Sequence, residues 1–479
     1  MLIGFVILYW LISIVIGLLA ARNVNNAKDF AIAGRHLPFH IVTATVFATW
    51  FGAETVLGIP AVFLKEGLHG VVADPFGASM CLVLVGLFFA APLYRMKLLT
   101  IGDFYRQRYG RLAEMLITFS IVVSYLGWVS AQISALGLVF HVVSFGEISK
   151  IAGMWLGSCS ILIYTWFGGM WAVAITDFIQ MIVIIVGMLY IGNEVSSQAG
   201  GVGAVVTHAS QSGKFNFWPP LDLREILSFF AAWITMMLGS IPQQDVFQRV
   251  QSSRTVTIAI WAAVLGGCLY FLFAFIPMFL VYAATMIDPN MVASLIDADP
   301  QMILPTFVLQ SAPLIAQIVF FGALLSAIKS CASATLLAPS VIFAENILKP
   351  MRPGMTDSTL LRTMRLVTLV FTVLVTLYAS NTSSSIFKMV ENAYQVTLVV
   401  AFVPLVCGIY WQRANNQGAV FSIFFGLAVW IGAYVLASPE PLIPAQLAGV
   451  LASGVGMVLG SLMRNLKVVK FWLIKQNRV

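Results

Sequence analysis

The chain has 479 residues, 60% of them hydrophobic and 9% charged, where a soluble domain carries roughly 25% charged residues. Mean hydropathy is +0.94 and the pI is near 9.2. These figures exclude a soluble enzyme or binding module and leave an all-α, polytopic integral membrane protein.

A membrane-crossing helix needs ~20 mostly apolar residues. By that rule thirteen spans are expected: 2–21, 39–62, 72–94, 112–142, 149–168, 171–193, 225–245, 256–286, 313–347, 361–380, 386–411, 418–437 and 443–463. The first lacks a preceding basic segment and is followed by Arg22, Lys28 and Arg35. It therefore reads as a spanning helix with its N-terminus outside, not as a cleaved signal peptide. Odd-numbered spans then end in the cytoplasm, as does the C-terminus, and 20 of the 26 Lys and Arg residues fall in inner segments. That bias satisfies the positive-inside rule and explains the high pI without nucleic acid.

The second span, TVFATWFGAETVLGIPAVF, is interrupted by Gly52, Gly58 and Pro60, and the seventh, SFFAAWITMMLGSIPQQDVF, by Gly239 and Pro242. Broken helices at corresponding places mark the binding region of inverted-repeat transporters. An offset of five spans predicts a 5+5 core. The expected division is an accessory helix and inner loop (1–38), a first repeat (39–194), a second repeat (224–411), and two C-terminal helices with a basic tail (412–479). Glu54, beside the break, is a candidate ligand for a positively charged or hydroxylated solute, or a partner for freed backbone amides. Gln132 in the fourth span is either a solute ligand or a helix–helix bond. Trp50, Phe51 and Trp233 could gate the pocket, Trp50, Trp233, Gly239 and Gln395 are candidate solute-binding residues, and Asn392 is a further possible pocket amide beside Gln395. Lys388 and Glu391, at i and i+3, suggest a local salt bridge.

The ninth span contains LLSAIKSCASATLL, residues 324–337, with Lys329 inside an apolar run. A buried ammonium is costly and marks a functional hypothesis. Lys329 could pair with Asp177 of the sixth span, stand in or beside a cation site, contact the solute, or snorkel to the inner surface, and Asp177 could instead bond hydroxyls lining the inner cation path. The five cysteines (Cys81, Cys159, Cys268, Cys331, Cys407) have no CxxC spacing, so neither a disulfide framework nor a thiolate metal site is expected. The five histidines are scattered, which argues against a membrane haem or quinone enzyme, and no Walker or HExxH motif is present.

Four short stretches resemble the sodium:solute symporter family. They are AGRHLP (33–38), TIGDFYRQRYG (100–110), GGMWAVAITDFIQ (168–180) and DVFQRV (245–250). The resemblance implies a leucine-transporter type of fold, alternating access and a sodium ion between the second and ninth spans. It places that ion on the carbonyls of Ala48, Phe51 and Ala327 and the side chains of Ser330 and Cys331. The family's usual pair of hydroxyls is here a hydroxyl and a thiol, a softer donor than sodium prefers.

The expectation is therefore a secondary active transporter of the cell (inner or plasma) membrane, not an enzyme. It imports a small polar organic solute, coupled to Na+. One alternative is proton-coupled or sodium-independent transport with Lys329 in place of the ion, and another is a solute receptor that does not transport. The expected partners are the solute and the lipid bilayer, with no nucleic acid and no obligatory protein partner.

Overall fold

The computed structural model describes residues 2–436 and 442–463, and among them helices are the only extended elements, with a single isolated bridge between Leu37 and Ser253. Fourteen helices carry the architecture. They are α1 (Leu2–Ala20), α2 (Phe39–Trp50), α3 (Glu54–Glu66), α4 (Val72–Arg95), α5 (Arg111–Val143), α6 (Lys150–Gln198) and α7 (Leu223–Gly239). There follow α8 (Gln244–Ser252), α9 (Val256–Ile287), α10 (Leu314–Met351), α11 (Asp357–Asn381), α12 (Ile386–Tyr410), α13 (Asn416–Leu436) and α14 (Ala445–Leu462).

Among the described residues, ten helices can by length and composition cross a membrane, or up to twelve when each bent pair is one span. The bent pairs are α2 with α3, at 49°, and α7 with α8, at 43°. Both breaks fall where Gly and Pro interrupt the expected second and seventh spans. The expected basic tail from Arg464 onward lies outside the described residues.

At ~1.5 Å per residue a straight helix of α6's length would be more than twice as long as the ~30 Å hydrocarbon core is thick. Gly169 resolves this. Its φ of 45° and ψ of −137° are non-helical and divide α6 in two. A Cβ there would stand 2.4 Å from the Phe30 carbonyl oxygen, so no other residue fits.

Helix α10 is the centre of the bundle. It packs on α2, α5, α6 and α11, and 67% of its most apolar window is buried, the largest share among the ten unbent candidate spans. Helix α1 lies outside that centre against α6 and α10, with Leu8, Leu11, Val15 and Leu19 exposed on its other face. This is the pattern of a helix whose outer surface meets lipid.

Short polar motifs fix the ends of the bundle. Thr100 and Asp103 form a capping box on the helix Ile101–Tyr109. Asn346 accepts from the Thr100 hydroxyl at 2.6 Å and donates to Asp103 at 2.9 Å and Glu114 at 2.8 Å, while Arg111 bonds Glu114 at 2.7 Å. Arg108 donates to the carbonyls of Gly408 and Trp411 at 3.1 Å each, satisfying the end of α12. The TIGDFYRQRYG stretch is thus a helix-capping device.

Gly169→Ala should lower stability by about 2 kcal/mol or more, since it adds a strained backbone conformation to a steric clash. A shift in the thermal midpoint of detergent-solubilised protein reads this. An unchanged midpoint would mean that the kink is not imposed by the packing of Phe30.

Candidate solute and cation site

The site is built around the break between α2 and α3. After Trp50 the backbone leaves the helix, Phe51 taking φ −82° and ψ 74°. Backbone groups freed in a membrane must find partners within the protein. The Trp50 carbonyl accepts from Gly52 N–H at 3.0 Å and Thr55 Oγ1 at 3.1 Å. The Ala53 N–H donates to Gln132 Oε1 at 2.9 Å. The same amide then donates through Nε2 to Glu54 Oε2 at 2.5 Å. Trp128 Nε1 reaches Glu54 Oε1 at 3.4 Å, and the Cys331 thiol approaches that oxygen at 3.9 Å. A Cβ on Gly52 would lie 2.8 Å from Glu54 Oε2 and 2.9 Å from Cys331, so glycine is what lets α3 and α10 meet.

Glu54 is 2% exposed, and among the described residues no basic side chain pairs with it. Beside it the aromatic rings form a cluster. Trp50 stacks on Tyr394 with centroids 6.0 Å apart and planes at 7°. Trp128 lies 5.9 Å from Trp50 and 5.2 Å from Tyr394, and Tyr270 closes the far side at 6.4 Å from Trp50. The Tyr270 hydroxyl donates to the buried Asp74 and bonds Thr55 at 3.1 Å.

A second buried carboxylate bonds both α2 and α10. Asp177, 0% exposed, accepts from Thr45 Oγ1 and from Ser330 Oγ, the latter at 2.6 Å. One turn along α2, Thr49 donates to the Thr45 carbonyl at 2.6 Å and accepts from Arg249 Nη2 at 2.7 Å. Arg249 also bonds the Asp245 carbonyl at 3.0 Å, and Tyr125 donates to the Asp245 carboxylate. Among the described residues, Glu54, Asp74, Asp177 and Asp245 are buried without a basic side chain at ion-pairing distance, while Arg249 and Lys329 are the buried bases. The interior near the break holds more acidic than basic side chains.

One end of this region is sealed. All nine residues of α8 are buried despite their polarity. Gln248 donates to the Ala31 carbonyl at 3.0 Å and Gln251 to Leu93 at 2.7 Å, while Arg35 bonds Gln251 at 2.9 Å and stacks on Tyr94 at 4.0 Å. The AGRHLP and DVFQRV stretches therefore meet in one plug. At the opposite end a cavity of about 490 Å³ is lined by Gly58, Lys65, Ser134, Lys150, Asp299 and Phe387 among others. Lys150 and Asp299 pair across its rim at 3.1 Å. Gly58 lies one turn from Glu54, and Phe387 covers it.

The structure brings Trp50, Glu54, Gln132 and Cys331 together, and separately Asp177 and Ser330. The backbones of Ala48, Phe51 and Ala327 are all fully buried nearby. The expected ligand pair is divided, however, because Ser330 turns to Asp177 and Cys331 to Glu54. Lys388 and Glu391 form the expected local bridge at 3.2 Å.

Four expectations need correction. Lys329 does not pair with Asp177, and its ammonium is directed away from the break to Ser13 and the Trp10 carbonyl of α1. Ser330, the next residue round α10, holds the Asp177 position instead. Trp233 belongs to an aromatic cluster with Phe217, Trp218, Phe229 and Phe230, not to the Glu54 box. Gln395 lines a cleft with Asn392 and Trp430 between α12 and α13. Its chain neighbour Tyr394 is the residue that faces Trp50. Gly239 serves packing, since a Cβ there would stand 2.4 Å from the Tyr394 carbonyl. The reading from sequence omitted Trp128, Tyr394, Thr45 and Arg249.

Residues 30–426 match the sequence model of the sodium:solute symporter family. The chain belongs to that family. Among curated relatives, the human high affinity choline transporter 1 (Homo sapiens) is 28% identical over 441 residues, covering 88% of this chain and 75% of the relative. The high-affinity proline transporter PutP of Bacillus subtilis is 23% identical over 475 residues, covering 92% and 94% respectively. The solved substrate-bound outward-open state of a Na+-coupled sialic acid symporter superposes with a TM-score of 0.84 at 20% identity, covering 97% of this chain and 98% of that one. The relatives and the fold are those of transporters and not of enzymes, and the family member is a multi-pass protein of the cell membrane.

Gln132 is the only described side chain that bonds both the Ala53 amide and Glu54. Gln132→Ala should leave a backbone donor and a carboxylate oxygen unsatisfied in the bilayer, at a cost of about 2–4 kcal/mol. Unfolding of the purified variant in detergent measures this. A loss under about 0.5 kcal/mol would mean that the break is held by other contacts.

Proposed function

We propose that this family member is a sodium-coupled symporter that imports a small organic cation by alternating access. The observation that carries this reading is the Glu54 carboxylate, enclosed without a basic partner beside the ring cluster of Trp50, Trp128 and Tyr394. A carboxylate supplies the counter-charge. Ring faces attract an ammonium by about 2 kcal/mol or more once water is excluded. A neutral or anionic solute would leave the buried negative charge uncompensated, which is costly. Similarity to a transporter named for choline, a quaternary ammonium, supports the same class of solute.

For the driving ion, Asp177 with the hydroxyls of Thr45 and Ser330 offers three hard oxygen donors, the chemistry a group-one or group-two cation prefers. The carbonyls of Ala48, Phe51 and Ala327 lie on the same helices and are the further donors this reading includes. Cys331 is a soft donor turned toward Glu54, and in this reading it is a wall of the solute site, not an ion ligand. Lys329, directed at α1, does not substitute for the ion.

The topology that goes with this function has thirteen spans, counting α2 with α3 and α7 with α8 as single spans and α6 as two. The N-terminus is outside and residues 39–194 and 224–411 form opposed five-span repeats. The α8 plug then closes the cytoplasmic end, and the cavity at Lys150 and Asp299 is the outer vestibule through which solute arrives.

Two variants in proteoliposomes test the two halves of the reading. Glu54→Gln should weaken competition by small organic cations by roughly a hundredfold, from the loss of about 3 kcal/mol of charge pairing. Equal competition by neutral isosteres in the unaltered protein would sink the choice of solute. Asp177→Asn should abolish stimulation of uptake by an inward sodium gradient. Full sodium stimulation in that variant would exclude Asp177 as an ion ligand.

A further inference from the structure

Lys329 is 0% exposed, and neither the solute box nor the Asp177 cluster uses its ammonium. Every hydrogen-bond acceptor it reaches belongs to α1, namely Ser13 Oγ and the Trp10 carbonyl at 3.5 Å. Two rings complete the enclosure, with Nζ 6.0 Å from the Trp10 centroid and 5.6 Å from that of Tyr164 on α6. The Tyr164 hydroxyl donates to the Lys329 carbonyl at 3.3 Å, and Tyr9 of α1 bonds Ser326 one turn earlier on α10. No carboxylate takes part, since Asp177 on α6 is occupied by Thr45 and Ser330. The charge is held by a dipole, a hydroxyl and ring faces, a cage that fixes the direction of the side chain.

Direction matters because Lys329 and Ser330 are consecutive, so their side chains diverge by about 100° around α10. With Lys329 caged on α1, Ser330 is aimed at Asp177. If α10 turned about its axis, either the ammonium would have to leave its cage into hydrocarbon or Ser330 would leave Asp177. We propose that Lys329 is a positioning residue for the cation ligand Ser330, and that α1 is thereby part of the coupling machinery although it lies outside the bundle's centre. This rests on the sodium reading given above.

The full-length protein in proteoliposomes tests it. Lys329→Ala should raise the sodium concentration for half-maximal uptake tenfold or more, while the solute KM at saturating sodium stays within about twofold. A general loss of stability would not produce that split. Millimolar n-propylammonium should fill the vacated cage and restore the sodium response of Lys329→Ala, but not of Lys329→Met, whose side chain already occupies the space. A monodisperse Lys329→Ala with an unaltered sodium response, or rescue of both variants alike, overturns the proposal.

Uptake by the unaltered protein that ignores sodium would instead defeat the sodium reading. The anchor is then judged alone, by the distance between spin labels on Leu8→Cys and Ile315→Cys, two exposed positions on α1 and α10, with Cys159 and Cys268 changed to serine. Broadening on Lys329→Ala supports the anchor, and an unchanged distribution refutes it.

Discussion

Everything at the centre of this transporter depends on one demand of the bilayer. Backbone groups released by a break in a helix must be satisfied from inside the protein. At the junction of α2 and α3 that demand is met by Gln132, Thr55 and Gly52. The amide that caps the Ala53 N–H also orients Glu54. The repair of the backbone and the placing of the carboxylate are thus one arrangement. A continuous helix through this point would have no unsatisfied donor and no reason to hold a charge.

The same economy appears in the charges. The buried acids exceed the buried bases near the break, and the basic group there, Arg249, is spent on Thr49 and a backbone carbonyl in the plug. Such an interior is tolerable only when cations enter it or protons neutralise it. In the proposed reading two positive cargoes, a solute and an ion, supply that balance. The closed end adds to this. Gln244, Asp245, Gln248, Arg249 and Gln251 of α8 are each bonded to another element, so in the proposed reading opening the plug requires several bonds to break together.

Much of the fold was legible in the sequence. Apolar lengths and the placement of basic residues outline the spans, and Gly and Pro mark both bent pairs, because these signals are local and periodic. The glutamate beside the break and Gln132 were legible for the same reason. Trp128 was within reach of the same reasoning, since it precedes Gln132 by four residues and shares its face of α5. Tyr394 was harder to find, because Gln395 competes for attention and neighbouring side chains point about 100° apart. Of the alternatives open for Lys329, pairing with Asp177 fails on that same angle. Which of two consecutive residues faces a given neighbour depends on the rotation of α10 against α1 and α6, and no local pattern encodes that rotation.

Ser330 and Cys331 also stand side by side on α10, the first on Asp177 and the second against Glu54. The two carboxylates are therefore read by adjacent rungs of one rigid rod. A ligand that shifts either rung by a fraction of an ångström must shift the other, and such a linkage acts with equal strength in both directions. In the proposed reading, stoichiometric coupling then needs no relay of moving parts between solute and ion. It follows from two neighbours on one helix sharing a single setting.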